Sequence, residues 1–322
     1  MPKILVTISG YYERFQINTI ESCLKRAKNP ENISFAIAHH EDHIVDTSHL
    51  SARINRYIIP KGDKTGIQKP KHILANMLSD EDFVLSIDSH VIMMPDWDLE
   101  LINDYNDRLA NSENKNIIIS GNFGNSMKLG GLDYDLCLSE YFNNDSFFNE
   151  KIKNEMEEYI VDGDSSRFTY EGDWYEKMLN MVPYLTHGNG SNIIHLSNIY
   201  SGNFSFFPRS WFDKGYNFSK EMFFSADQTE TAMNIYTSGY DIWMPRMKYH
   251  IHMTDHNPNM SHVSTILDGK KYYANRYFDM DKDRKAILWF LDRINYGYND
   301  DRPRTVDMFF KFFKLTKEKY LK

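Results

Sequence analysis

The chain has 322 residues, 41% of them apolar, and a formal net charge of −8. This length allows one large domain, or one domain that carries a sizeable insertion. No apolar run reaches about 18 residues, which argues against a membrane-spanning helix, and the acidic balance argues against non-specific binding to nucleic acid. Two cysteines and an N-terminus without a signal-peptide pattern predict a reduced, cytoplasmic setting.

The first third of the chain alternates strand-like and helix-like segments. Apolar residues at helical spacing predict helices after the first strand and over 69–78, and Leu99, Ile102 and Tyr105 predict a third. Short apolar runs predict strands over 3–8, 33–38, 54–59, 83–87 and 116–120. This alternation is typical of an α/β domain with a mostly parallel sheet, whose ligand loops follow the carboxyl ends of the strands.

A possible cation site ends the strand predicted over 83–87. Asp88 and His90 follow that apolar run and are separated by one small residue. Because side chains alternate along an extended chain, both are expected on the same side. A carboxylate and an imidazole together suit a divalent cation such as Mn²⁺. Three histidines and two acids over 39–43 form a second possible metal cluster, but we favour a nucleotide cleft or a solvated loop as their explanation.

The regular pattern is interrupted over 121–192, a segment rich in Asn, Asp, Gly, Glu and Ser that we interpret as an irregular insertion near the acceptor. Strands are predicted again over 201–207, 241–244 and 249–253, together with a helix whose N-cap is Ser225 or Asp227. We therefore expect one domain over 1–300 that contains this insertion.

The C-terminal segment 301–322 has its own charge pattern. From Arg302 to Lys322 it holds seven basic residues against two acidic ones, with aromatic residues between the lysines. One interpretation is an amphipathic helix docked on the core. The alternative is a surface for an anionic partner such as nucleic acid.

Four segments, in order, resemble the cytoplasmic polypeptide N-acetylglucosaminyltransferases that modify a hydroxyproline, together with their bacterial and viral relatives. The Asp-Ser-His of residues 88–90 also occurs in the mucin-type N-acetylgalactosaminyltransferases. The segments are Ile8-Ser9-Gly10-Tyr11-Tyr12-Glu13, then Ile87-Asp88-Ser89-His90 with Trp97-Asp98, then Ser201-Gly202-Asn203-Phe204-Ser205-Phe206, and finally Asp227 with residues 236–245 and His252. The resemblance implies a GT-A fold, a nucleoside-diphosphate-sugar donor, and Mn²⁺ or Mg²⁺.

The resemblance assigns roles to individual residues. It makes His252 the third metal ligand beside Asp88 and His90, with His250 as the competitor. It also places Lys71 at a basic position that touches the donor, with a surface lysine as the alternative.

Ser9, Tyr11 and Glu13 follow the first strand, where the base and ribose of a nucleotide are expected. Asp227 is expected to face the sugar. An inverting enzyme would use it as general base, whereas in the retaining family that the chain resembles it orients the donor or the acceptor.

One departure concerns the acceptor. The family shows two adjacent acids where this chain has Asp227-Gln228, so the second acid is lost. We expect a hexosyl- or pentosyltransferase acting on a polypeptide hydroxyl or on the hydroxymethyl group of a modified pyrimidine in phage DNA, in the host cytoplasm if the protein is viral. The alternative from another class is an inactive module that binds sugar nucleotides.

Overall fold

A computed structural model describes residues 1–10, 15–121, 200–224, 226–243, 245–246, 249–252, 265–267, 270–272 and 279–312. Its first part forms β1 (Ile4–Ser9), α1 (Gln16–Arg26), a 3₁₀ turn (Pro30–Asn32), β2 (Ile33–His40), β3 (Arg53–Ile59), α2 (Gln68–Ala75), β4 (Phe83–Asp88), β5 (Val91–Met93), α3 (Trp97–Asn111) and β6 (Ile117–Ser120). Its second part forms β7 (Phe204–Pro208), α4 (Arg209–Asp213), α5 (Asp227–Thr237), β8 (Asp241–Trp243), β9 (His250–His252), β10 (Thr265–Leu267), β11 (Lys270–Tyr272), α6 (Met280–Tyr296) and α7 (Val306–Phe312).

Seven strands form one mixed sheet in the order β3-β2-β1-β4-β7-β6-β8. Most neighbouring strands run parallel, but β7 is antiparallel to both β4 and β6, because the chain enters it beside the carboxyl end of β4. The predicted α/β class with a mostly parallel sheet is confirmed.

Side-chain alternation along the buried strands divides the core into two layers. On one face Leu5, Val84 and Phe207 pack beneath α2, α5 and α6. On the other face Val6 and Leu85 belong to the cluster that includes the buried side chains of α1 and α3. Because parallel strands are covered on both faces, they consist of nearly continuous apolar runs, and this is why the sequence identifies them.

Several predicted boundaries were wrong. β2 extends to His40, so two of the clustered histidines lie in a buried strand and not in a loop. α2 ends at Ala75, three residues before the predicted end. The N-cap of α5 is Ala226, in the left-handed region at φ 60°, so Asp227 is the first helical residue and the predicted Asp227 cap is wrong.

The C-terminal segment forms a short helix over the part that the structure describes. Val306, Phe309 and Phe310 of α7 are buried, and the ring of Phe309 lies 5.8 Å from that of Tyr236 on α5. This is the docked amphipathic arrangement, with Phe312 half-exposed at its end. Residues 313–322 and almost all of the predicted insertion lie outside the described residues. Within the described part, no helix has the length and apolar character needed to cross a membrane.

Candidate active site

The candidate site begins where the central strands end. Ser9 at the end of β1 stands opposite Asp88 at the end of β4, and both residues are partly exposed. The backbone N–H of Asp88 donates to the carbonyl of Asn203 at 3.3 Å, which ties β4 to the turn before β7. The carboxyl edge of a parallel sheet is where α/β proteins bind their ligands.

Strand pairing brings a distant histidine close to Asp88 and His90. β5 starts immediately after His90 and pairs antiparallel with β9, with Val91 opposite His252 and Met93 opposite His250. The backbone of His252 therefore lies opposite Val91, the residue that follows His90. The side chain of His252 is outside the described part, and among the described side chains no three His, Cys, Asp or Glu residues cluster closely enough to hold a metal.

His250 has a packing role in this structure. Its ring is buried and stacks on Phe204 at 4.9 Å with an interplanar angle of 4°. A ring held flat on an aromatic side chain in the core contributes burial and stacking. Whether His250 or His252 is the third metal ligand stays a prediction.

A buried charge network anchors β9 to α3. The carboxylate of Asp104 accepts from Arg108 Nε at 2.7 Å, from the Arg246 backbone N–H at 2.7 Å and from the Tyr249 hydroxyl at 3.1 Å. The backbone N–H of Met94 in turn donates to the carbonyl of Tyr249 at 2.9 Å. The two strands on either side of the candidate metal site are thereby fixed to each other and to the core.

Lys71 is a buried side chain and not a surface lysine. It projects from α2, is 3% exposed, and donates from Nζ to the carbonyl of Gly202 at 2.7 Å. Burial opposes its charge, but Tyr200, Asp88 and Asp227 outweigh burial and raise the pKa of Lys71. The sheet end thus contains a buried lysine whose charged form is stabilised by Asp88 and Asp227.

The turn that supplies this carbonyl is fixed by serines of neighbouring strands. Ser120 Oγ accepts from the Ser201 backbone N–H at 2.9 Å, and Ser205 Oγ donates to the Ser201 carbonyl at 2.7 Å. A Cβ at Gly202 would stand 3.4 Å from Lys71 Nζ. The Ser-Gly-Asn motif therefore forms an anchored turn whose Gly202 carbonyl accepts from a buried lysine.

Asp227 lies beside Lys71 at the start of α5. It is 6% exposed and its Oδ2 accepts from Gln68 Nε2 at 2.9 Å. Burial raises the pKa of Asp227 to about 6, against the opposing effects of Lys71 and the Gln68 hydrogen bond. A buried carboxyl whose pKa is raised and that has a specific charge partner is typical of functional sites.

Other predicted site residues are placed less directly. Tyr11 and Glu13 lie outside the described residues, so their nucleotide-binding role stays a prediction. His39 and His40 are buried in β2, and burial lowers the pKa of His39 to about 4. A buried neutral histidine within a strand gives no support to the predicted metal cluster over 39–43.

The Trp-Asp pair after the Asp-Ser-His motif has a structural role. Trp97 is fully buried and its Nε1 donates to the Cys23 carbonyl at 2.9 Å. Asp98 is 2% exposed and accepts from the backbone N–H groups of Lys28 and Asn29 at 2.6 and 2.9 Å. These contacts connect α3 to the end of α1 and keep both helices under the sheet.

Sequence reasoning missed three polar residues that surround Lys71 and Asp227. Gln68 and Tyr200 are fully buried, and Gln228 is exposed with its Nε2 3.8 Å from where a Cβ of Gly202 would stand. A signal for Gln68 was available, since it lies three residues before Lys71 and so shares its face of α2. Tyr200 gave no signal, because a tyrosine before a strand is usually a core residue.

The donor set at this sheet end suits a divalent cation. Asp88 supplies a partly exposed carboxylate, His90 supplies an imidazole two residues later, and the β5–β9 pairing brings the backbone of His252 to the same corner. One carboxylate with imidazoles favours Mn²⁺, whereas Mg²⁺ prefers an all-oxygen set.

Comparison with solved structures identifies the fold. The chain is similar to the Staphylococcus aureus TarS fragment 1–349 in complex with UDP-GlcNAc, with a TM-score of 0.51 and 11% identity over 99% of this chain and 71% of that one. It is also similar to GalNAc-T7 with UDP, GalNAc and Mn²⁺, with a TM-score of 0.52 and 9% identity over the whole chain and 56% of that protein. No protein-family profile and no curated sequence matches. The fold is that of the GT-A glycosyltransferases.

Proposed function

We propose that the protein is a metal-dependent glycosyltransferase that moves a hexosyl or pentosyl group from a nucleoside-diphosphate sugar to a hydroxyl acceptor. The observation that carries the proposal is the corner formed by Asp88, His90 and the backbone of His252 at the carboxyl edge of a GT-A sheet. TarS and GalNAc-T7 are known in complex with UDP-GlcNAc and with UDP, GalNAc and Mn²⁺, respectively, which supports this donor class.

Each residue has a proposed part in the chemistry. Asp88, His90 and His252 would hold Mn²⁺ or Mg²⁺, which stabilises the negative charge developing on a departing diphosphate. Ser9, with Tyr11 and Glu13 beyond it, binds the nucleoside. Lys71 adds a fixed positive charge close to Asp88, which favours an anionic leaving group at this end of the sheet.

Asp227 orients the donor sugar or the acceptor in this proposal. Its carboxylate is buried and is held by the hydrogen bond from Gln68 beside Lys71, which suits a group that binds a hydroxyl in a fixed orientation. From the resemblance to a retaining family we propose a retaining reaction, in which the leaving phosphate takes the acceptor proton. Because the exposed Gln228 stands where the family has a second acid, the rim of the site has one negative charge fewer.

A melting-temperature screen of nucleoside diphosphates and sugar nucleotides, with and without Mn²⁺, tests the donor class. A ligand at 100 times its Kd should stabilise the protein by about 2.7 kcal/mol. The shift should need both ligand and Mn²⁺ and should vanish in Asp88→Ala. Asp213→Ala, which removes a carboxylate with 57% side-chain exposure from α4, is the matched control and should retain the shift.

Turnover distinguishes an enzyme from an inactive binding module. Mn²⁺-dependent donor hydrolysis that disappears in Asp88→Ala supports catalysis. A melting-temperature shift with no hydrolysis and no transfer to any hydroxyl would instead favour the binding module. A protein with neither response would not be a sugar-nucleotide protein.

For the acceptor we propose a polypeptide hydroxyl or a 5-hydroxymethylated pyrimidine in DNA. The excess of basic residues in the sequence of segment 301–322 favours DNA, and Lys311, which the structure describes, is exposed. Filter binding to hydroxymethylated duplex DNA across a salt series separates the two, because phosphate contacts make affinity fall steeply with salt. Absence of salt-sensitive binding would eliminate the DNA acceptor and leave the polypeptide.

A further inference from the structure

The segments that precede α2 and α5 contact each other directly. The backbone N–H of Ile67 donates to the carbonyl of Phe223 at 2.9 Å. Gly66 lies at φ +70°, and a Cβ there would stand 2.5 Å from the same carbonyl oxygen. Only a residue without a side chain allows this approach. The segment before α2 is therefore held in a fixed position against the segment before α5.

The next residue, Gln68, extends this junction into the candidate site. It is the first residue of α2, is fully buried, and donates from Nε2 to Asp227 Oδ2 at 2.9 Å and to Thr231 Oγ1 at 3.3 Å. An ionised carboxylate only accepts hydrogen bonds, so the NH₂ group of the amide must face Asp227. Among the described residues Gln68 Oε1 has no hydrogen-bond partner.

The groups that face Asp227 differ in what they can do. Lys71, one turn further along α2, attracts the carboxylate through charge, while Asp88 on β4 repels it. Gln68 supplies a directional hydrogen bond in a buried position. A charge fixes the ionisation of a carboxylate, but a short hydrogen bond also fixes its rotation.

We propose that Gln68 is a positioning residue that sets the orientation of the Asp227 carboxylate for work on the sugar or acceptor. This rests on the proposed function. The left-handed backbone at Ala226, immediately before Asp227, supports it, because strained non-glycine residues persist where the surrounding contacts hold them. The Gly66–Phe223 contact supplies such a constraint from the α2 side.

The test compares Gln68→Met, which keeps the length but loses the donor, with Gln68→Glu, which replaces the donor by a second acid. Thr231→Ser is the matched control, because it alters a neighbour of Gln68 but keeps the hydroxyl that accepts from Gln68 Nε2 at 3.3 Å and donates to the Asp227 backbone carbonyl at 2.8 Å. The Asp227 carboxyl is titrated by NMR on ¹³C-aspartate-labelled protein without substrate, with Asp227→Asn providing the assignment.

We expect Gln68→Met to raise the pKa of Asp227 by about one pH unit, and Gln68→Glu to raise it further through like-charge repulsion. Thr231→Ser should leave it unchanged. Where turnover is measurable, the acidic limb of the kcat profile should move by the same amount, and kcat should fall about tenfold with little change in KM.

An Asp227 that titrates identically in Gln68→Met and in the wild type overturns the proposal. The melting temperatures of the variants establish that they are folded, and Gln68→Glu provides a second, independent reading if Gln68→Met does not fold. Because the titration needs no substrate, an absence of sugar-nucleotide turnover overturns the proposed function while the NMR result still decides whether Gln68 controls Asp227.

Discussion

Replacing Asp227 by asparagine should stabilise the folded protein at neutral pH. Burial raises the pKa of Asp227 from 3.8 to about 6, so keeping the carboxyl ionised at pH 7.5 costs stability. A pKa difference of about 2 corresponds to roughly 3 kcal/mol. Asparagine keeps the shape and an oxygen that can accept from Gln68, but it has no charge to bury.

The sign of the pH dependence follows from linkage. An acid whose folded pKa is raised contributes stability that is fully present below its unfolded pKa and is lost as the pH rises through the folded value. The gain from Asp227→Asn should therefore be near zero below about pH 4, grow between pH 4 and 6, and level off above pH 6 at up to about 3 kcal/mol.

Urea unfolding of the wild type and Asp227→Asn at several pH values measures this difference. Asp98→Asn is a matched control with the opposite expectation. Each carboxylate oxygen of Asp98 accepts from a backbone N–H group. In Asp98→Asn the amide NH₂ would replace one of these oxygens and face an N–H donor, so the free energy of unfolding should fall by about 1–3 kcal/mol. A destabilised Asp227→Asn at pH 7.5, or a gain independent of pH, would refute the reasoning.

Variants at three further residues test buried charges. Burial raises the pKa of Glu230 to about 7, so Glu230→Gln should add up to about 3 kcal/mol at pH 8 and nothing below pH 4.5, measured by urea unfolding. Lys71→Met should lower the free energy of unfolding by about 3–5 kcal/mol, because Asp88 and Asp227 lose the positive charge that compensates them. Donor binding lost in Lys71→Met should not return in Lys71→Arg, because the buried site fits an ammonium group and not the larger guanidinium. Asp104→Asn should lower the free energy of unfolding by about 3–5 kcal/mol, because the buried guanidinium of Arg108 loses its carboxylate partner. Calorimetry should also detect weaker Mn²⁺ binding, because the contact from Tyr249 that anchors β9 is weakened.

The parallel strands were predictable because their physics is local. Buried on both faces, β1, β2 and β4 are short apolar runs, and the sequence located all three within two residues. The carboxylate at the end of β4 followed from the same pattern. The direction of β7 was not predictable, because antiparallel pairing depends on where the chain returns after residue 199.

The 17-residue helix α6 was missed although its sequence carried clear signals. Ala286, Phe290 and Ile294 recur every four residues, Asp279 accepts from the Lys282 backbone N–H as N-cap, and Gly297 ends the helix. Long-range contacts are a different case. Gln68 and Asp227 meet through a hydrogen bond between distant parts of the chain, and no local pattern records that contact.

The pairing of β5 with β9 has a consequence for the order of folding. These two strands form a two-stranded ribbon in which β5, which follows the central strand β4, pairs with β9, which follows β8. Because β5 and β9 are far apart in the sequence, their contacts are among those that must close the longest loops. The metal corner is expected to form late, after the parallel strands have paired. A cation bound there would stabilise the closed loop preferentially, so Mn²⁺ should slow unfolding of this ribbon and protect its amides from hydrogen exchange more than those of β1 and β2.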